Sequence, residues 1–287
     1  MSGIITLTTD WGQGEPYAAL FKAQVWRRNP QARFADISHS VHNESRLHAF
    51  YLLSSVCWAF PAGTVHVADV RELSPEQRRR VMANKRPFPF LDFLAARCGD
   101  QFFLLENNGI LPMLATESRP VTEVVKLSRH ADFEKYNTFN ALNYYVDAAA
   151  KLAAGAELSD VGKPYPLDAL ERMLLPGRES TENMLVGSVL HIDAHGNLIT
   201  DIREEELLEV CAEPKKMTVR VGECLESLPE INLRKNFLGV MPGTVFAVTN
   251  MAGYIELVQQ NGSLAALLYG QEDMLSGIGD TVTLHFG

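Results

Sequence analysis

The sequence predicts an α/β protein in two parts: an N-terminal α/β domain on a mostly parallel sheet, then a C-terminal antiparallel β-barrel-like domain. Three observations predict it. Strand-like and helical runs alternate through the first half. From about residue 156 the chain turns rich in proline, charge and small residues. Beyond that, short strand-like runs recur with frequent glycines and few long helical periods. The expected boundaries are 1–180 for the first domain with its linker and 181–287 for the second.

Each element has its own warrant. "GIITLTT" is apolar and β-branched and reads as a buried strand, and "EPYAALFKAQVWRRN" follows as an amphipathic helix facing inward through Leu20 and Val25. "ARFADIS" is a second strand. "ESRLHAFYLLSSVCWAF" is a second helix, closed by the turn signal "PAG". "TVHVADV" and "DQFFLLENNGIL" are further strands, the latter ending in an Asn-Asn-Gly turn, and "ALNYYVDAAAKLAAG" is a helix stopped at Gly155. "ELSDVGKPYPLDALERMLLPGREST" reads as a linker. After it, "LVGSVLHID", "GNLITDI", "MTVRVG", "TVFAVTN", "GYIELVQQ" and "DTVTLHFG" are the strands of the second domain.

Composition removes several classes of function. The chain has 287 residues, 46% of them hydrophobic and 21% charged, an ordinary globular balance. A net charge of −9 argues against a nucleic-acid partner, which requires a basic face. The one dense basic patch, Arg78 to Arg80, is explained by a solvated helix or loop face. "MSGIITLTTD" lacks the basic and apolar regions of a secretory signal, and no apolar stretch reaches membrane-spanning length. The expectation is a cytoplasmic protein with no membrane partner. Cys57, Cys98, Cys211 and Cys224 lie far apart without C-x-x-C spacing and read as reduced, mostly buried thiols.

The dinucleotide, P-loop and nucleophile-elbow fingerprints are absent. "HIDAH" places His191, Asp193 and His195 on alternate residues, a spacing able to hold a cation, but no fourth ligand lies close in sequence, so no metal is expected. In "SHSVH", at residues 38–42, a structural histidine at a strand end is the simpler reading. "IITLTTDWGQG" poses a sharper question. Its glycines suit a turn, yet no turn requires Asp10. In parallel sheets ligands sit beyond the carboxyl ends of strands, where Asp10 lies, as do Asn107 and Asn108.

The ordered series "TLTTDWG", "ADISHSV", "FPAGTVHVADV", "LLENNGIL", "TFNALNYYV", "HIDAHGNLITDI" and "GYIELVQQNGSLAALL" resembles the S-adenosylmethionine hydrolase family, the hydroxide adenosyltransferases, relatives of the fluorinase and chlorinase. The resemblance spans nearly the whole chain. It implies the two-domain fold above, with no cofactor and S-adenosylmethionine as substrate or ligand. It also implies a homotrimer that holds the ligand between one subunit's N-domain and its neighbour's C-domain. Residue by residue, it makes Asp10 the acceptor of the ribose hydroxyls, a task that suits a carboxylate's two oxygens. It makes Asn108 a site asparagine, Asn197 the reader of adenine and Asp193 the holder of the methionine amino group. Glu256 becomes a site glutamate and Gln259 a backbone contact to adenine. Met251 falls where the family usually has serine.

The family's water-activating Asp-Arg-His set is altered. The aspartate falls at Arg71, with Asp69 two residues earlier as an alternative base; the arginine falls at Arg78, close to an apparent insertion; the histidine falls at Asn140. Halogenating relatives place a hydroxyl residue where this chain has Ala141. A cation roughly 5 Å from a sulfonium costs about 3 kcal/mol at an effective dielectric of ~20, so a sulfonium ligand requires Arg71 to point away or Asp69 to compensate. Two functions follow. One is hydrolysis of S-adenosylmethionine to adenosine and L-methionine, with Asp69 and Arg78 as the catalytic candidates. The other is a catalytically impaired protein that binds or senses adenosine or S-adenosylmethionine.

Overall fold

The strand Ile4–Thr9 (β1) is the centre of the parallel part of the first sheet. It pairs parallel with Arg33–Ser38 (β2) on one side and with Val65–Asp69 (β3) on the other, and β3 pairs parallel with Gln101–Glu106 (β5). Phe93–Cys98 (β4), Val121–Leu127 (β6) and Gly162–Pro164 (β7) extend the sheet antiparallel from β5, giving the order β2-β1-β3-β5-β4-β6-β7. The computed structural model describes residues 3–41, 45–70, 92–129, 139–173, 178–211, 216–222 and 228–286, the side chains of 229 and 230 excepted. The chain forms two compact units, Met1–Met173 and Leu174–Gly287.

Helices cover the first sheet. Tyr17–Trp26 (α1) and Asn140–Ala154 (α4) pack together over β1, β3 and β5, and their core includes Phe21, Val25, Leu142, Tyr145 and Val146. Each such side chain contributes about 1.5–3 kcal/mol when fully buried. Arg46–Val56 (α2) starts where the Ser45 hydroxyl accepts the His48 backbone N–H at 3.3 Å, a local N-cap. Ile110–Leu114 (α3) packs against it. Helix α4 ends as expected at Gly155, with φ 108° and the N–H of Ala156 bonded back to the Lys151 carbonyl.

Two expectations are corrected. Leu20 is 37% exposed; Val25 is buried as expected, and its core neighbour on the helix is Phe21. Helix α1, "YAALFKAQVW", is apolar almost all round, so periodicity alone cannot choose its inner face. The presumed linker is also structured in its first part. Gly162–Pro164 is a strand of the sheet, and the Tyr165 hydroxyl donates to Asp92 Oδ2 at 3.0 Å. Pro164 closes that strand and Pro166 precedes the short turn Leu167–Ala169, so these two prolines bound elements rather than loosen the chain.

The second unit contains Glu179–Thr181 (β8), Met184–Ile192 (β9), Leu198–Arg203 (β10), Met217–Val221 (β11), Leu228–Ile231 (β12), Leu233–Arg234 (β13), Val245–Thr249 (β14), Tyr254–Gln259 (β15) and Thr281–Phe286 (β16). The strand order is β12-β11-β16-β9-β10-β15-β14-β13, with β8 on β9. Pairing is antiparallel except between β13 and β14. Contacts between β12 and β14 bring the two ends of the sheet together, curling it as a half-barrel. Helices Glu204–Val210 (α5) and Leu264–Tyr269 (α6) pack beside it, and its core includes Leu198, Val219, Leu257, Leu264 and Leu284. No helix among the described residues is long and apolar enough to cross a membrane.

Candidate functional site

In the first unit the candidate residues gather at the carboxyl ends of β1, β3 and β5. Thr9 pairs with Asp69 in the parallel ladder, and the Asp10 N–H reaches the Asp69 carbonyl at 3.4 Å. Asp10 and Asp69 therefore stand at neighbouring strand ends, both half-buried. Gly12 completes the turn with φ 86°, a conformation glycine adopts without a side-chain penalty, and donates its N–H to the His39 carbonyl at 2.7 Å.

Between them, Trp11 turns back to the sheet. Its indole Nε1–H donates to Asp69 Oδ2 at 2.7 Å. The ring is buried, parallel to His39 with centroids 6.0 Å apart, edge-on to Phe139 at 4.9 Å and tilted against Phe21 at 5.5 Å. His39 is the structural histidine expected of "SHSVH": its Nδ1 lies 2.8 Å from the Thr9 hydroxyl and its Nε2 3.4 Å from Asp36.

Asn108 is placed inward. Its Nδ2 donates to the Val70 carbonyl at 3.2 Å, its Oδ1 accepts the Ile110 N–H at 3.3 Å, and its own carbonyl accepts from the buried Arg46 guanidinium at 2.7 Å. The amide thus ties the end of β5 to the end of β3. Asn107 also points to the protein, donating to the Tyr165 hydroxyl and the Ala169 carbonyl and accepting the Glu171 N–H. Asn140 opens α4, and Ala141 is fully buried behind it. Arg71 and Arg78 lie outside the described residues.

In the second unit, Asp193, Asn197 and Glu256 form a separate cluster at the β9–β10 turn and on β15. Asp193 Oδ1 accepts the N–H groups of His195 and Asn197, at 2.8 and 2.9 Å. Its Oδ2 accepts the Asn197 side-chain amide at 2.9 Å. Glu256 sits in register with Ile199 on β10 and Val248 on β14. Burial pushes the Glu256 carboxyl above the usual carboxylate range and the nearby Asp193 charge adds to this, while the Asn197 and Asn250 amides and His195 act the other way. The cluster can offer a polar ligand two carboxylates and an amide held in one geometry.

The remaining positions differ. Met251 is fully exposed in the turn before β15. Gln259, at the end of β15, donates weakly to the Gly243 carbonyl at 3.4 Å. The "HIDAH" spacing does not form a cation cage: Asp193 is turned into its own loop, and no group of three or more His, Cys, Asp or Glu among the described residues is arranged to hold a metal. Cys57, Cys98 and Cys211 are free thiols, with Cys57 pushed up to about 12 and Cys98 to about 11, both by burial; Cys224 lies outside the described residues.

Sequence reading missed two contributors. Trp11 was visible only as a turn residue, because its partner lies 58 positions away. Arg46 stands in a helix start and carries no motif; a buried arginine at a strand-end cluster becomes evident only in three dimensions.

Known proteins match in the same two-part pattern. The model of the SAM hydroxide adenosyltransferase N-terminal domain matches residues 5–162, and that of the C-terminal domain matches residues 187–274. The (R)-S-adenosyl-L-methionine hydrolase of Thermus thermophilus is 28% identical over 273 residues, covering 93% of this chain and 95% of that protein. The protein of the same name from Methanocaldococcus jannaschii is 23% identical over 272 residues, covering 92% and 91%. A crystal structure of an uncharacterized conserved protein from Thermotoga maritima shares the fold with a TM-score of 0.79 at 24% identity, covering 98% of this chain and 99% of that one.

Proposed function

Because the chain belongs to the SAM hydroxide adenosyltransferase family, we propose that it is a hydrolase that cleaves S-adenosyl-L-methionine with water to adenosine and L-methionine. The observation that carries this is the match of both units to relatives named as S-adenosyl-L-methionine hydrolases, over more than nine-tenths of each chain.

The chemistry is an in-line displacement at the ribose C5′. The water oxygen bonds to C5′ as the C5′–S bond breaks, and that electron pair returns to sulfur, which leaves as the neutral thioether of methionine. Water is a weak nucleophile, so a base must hold it and accept its proton. Asp69 has this role, and Asp10 beside it accepts the ribose hydroxyls. Both carboxylates also favour a sulfonium electrostatically. In the second unit Asn197 reads adenine, Asp193 takes the methionine amino group, and Glu256 and the chain at Met251 and Gln259 complete the pocket. Asn108 contributes by fixing the strand ends. Arg78 remains the second catalytic candidate.

The assembly is a homotrimer in the cytoplasm, with the ligand held between one subunit's first unit and its neighbour's second. Each unit has exposed apolar side chains suited to such burial: Tyr17, Leu20 and Trp26 on α1, and Phe237, Leu238 and Met241 between β13 and β14. The free thiols support the reducing compartment.

Incubation with S-adenosyl-L-methionine, followed by chromatography, is expected to yield adenosine and methionine in equal amounts. Calorimetric binding of the substrate without product, even at high enzyme concentration, would overturn hydrolysis in favour of the binding or sensing alternative.

A further inference from the structure

We infer that Trp11 is the positioning residue of the first-unit site, acting through its indole N–H on the Asp69 carboxylate; this rests on the assignment of Asp69 as the proton acceptor. Three features point to it. The hydrogen bond, 2.7 Å from Nε1 to Oδ2, is at the short end for a neutral donor on a carboxylate, where charge assistance strengthens it. The donor cannot swing, because Phe21, Phe139 and His39 enclose the ring on different sides. Trp11 also follows Asp10 directly, so one turn sets both carboxylates: its backbone places Asp10 at the end of β1, and its side chain aims Asp69 at the end of β3.

The bond has two consequences. It fixes which Asp69 oxygen faces the indole, so the other is presented in a constant direction. It also stabilises the charged form of the carboxylate that accepts it. Among the described residues, the charged and titratable groups on the neighbouring elements are Asp10 after β1, Asp36 within β2 and His39 after it, joined at 3.4 Å, Glu106 at the end of β5, and Arg46 on α2, which is held on the Asn108 carbonyl. A phenyl ring at position 11 would keep most of the packing and lose the donor.

The test uses the full-length protein and the variants Trp11→Phe and Asp69→Asn. In Trp11→Phe, kcat at neutral pH is expected to fall about tenfold or more, with KM changed less than about twofold. The acidic limb of the kcat profile is expected to move up by about one pH unit, because the carboxylate has lost a donor. In parallel, the indole ¹H–¹⁵N resonance absent from Trp11→Phe is expected to titrate in the wild type and to stop titrating in Asp69→Asn. If Asp69→Asn abolishes turnover while Trp11→Phe keeps the wild-type limb and kcat and only melts earlier, Trp11 is a packing residue and the inference fails alone. If Asp69→Asn turns over normally, or the wild type does not turn over at all, the assignment of the base fails and the inference fails with it. An indole signal indifferent to Asp69 overturns it whatever the activity.

Discussion

Asn197 holds both oxygens of the Asp193 carboxylate: its backbone N–H reaches Oδ1 and its side-chain Nδ2 reaches Oδ2, each at 2.9 Å. The intervening Gly196, at φ 78°, lets the chain turn tightly enough for this, and a Cβ there would collide with Ser263. The amide proposed to read adenine is therefore oriented by the residue proposed to hold the methionine amino group. The two assignments are coupled through a single turn.

Replacing Asp193 by alanine should weaken binding of free adenosine, which has no amino-acid part, because Asn197 loses its orientation. The expected stability cost is about 1–3 kcal/mol for the stranded donors. Asn197→Ala should weaken adenosine binding by a similar factor, and the double variant should lose less than the sum. Calorimetry with adenosine and urea unfolding check both. Normal adenosine affinity in Asp193→Ala would show that the turn holds without its carboxylate.

A second prediction concerns the presumed linker. Gly109 has φ 94°, and a Cβ on it would lie 2.6 Å from the Met173 backbone nitrogen. Gly109→Ala should cost about 2–3 kcal/mol through left-handed strain and overpacking together. For a chain of this size that lowers the melting temperature by roughly 4–12 °C. A shift under 1 °C in calorimetry would mean that the chain around Met173 yields at no cost.

How much was legible follows from where each signal lies. Strands β1, β3 and β5 are legible because each is a local apolar run ending in a recognisable turn. Strands β4 and β6 carry weaker local signals. "FLAARC" follows proline-rich chain that masks its start, and "VTEVVKL" carries polar residues because part of it faces solvent. Asp10, Asp193, Asn197 and Glu256 stand out in the sequence as candidates by their match to a family pattern, but the direction of an amide does not. Asn108 matched a site position, yet the strand ends bend its side chain onto Val70 and Ile110. Trp11 needed Asp69, 58 residues away, to acquire a meaning beyond its turn.

His66 supplies a pH prediction. It is fully buried on β3, its Nδ1 2.7 Å from the Thr6 hydroxyl and its ring stacked on Phe103. Burial lowers its pKa from 6.5 to about 3. The folded state thus keeps the ring neutral while the unfolded chain takes up a proton below pH ~6.5. The associated stability is fully present above that pH and is lost as pH falls toward 3, by about 1.4 kcal/mol per unit. Between pH 6.5 and 4.5 the loss should approach about 2–3 kcal/mol. His66→Gln should flatten that slope in urea unfolding, whatever it does to stability at pH 7. Equal slopes in the two proteins would contradict a neutral buried ring.

The last prediction concerns Asp10. A ribose presents two adjacent hydroxyls, and a carboxylate can accept from both, whereas an asparagine in the same place has one acceptor and one donor group. Asp10→Asn preserves the size of the side chain and leaves the backbone bond from its N–H to the Asp69 carbonyl available. A hydrogen bond to a charged partner is worth about 1.5–3 kcal/mol, so adenosine affinity should fall by roughly 10- to 150-fold. The same variant should bind 2′-deoxyadenosine with a smaller loss relative to wild type, since one of the two hydroxyls is already missing. Calorimetry with both nucleosides separates the cases. Equal losses for the two would place Asp10 away from the diol, and an unchanged affinity for adenosine would remove it from the ligand site altogether.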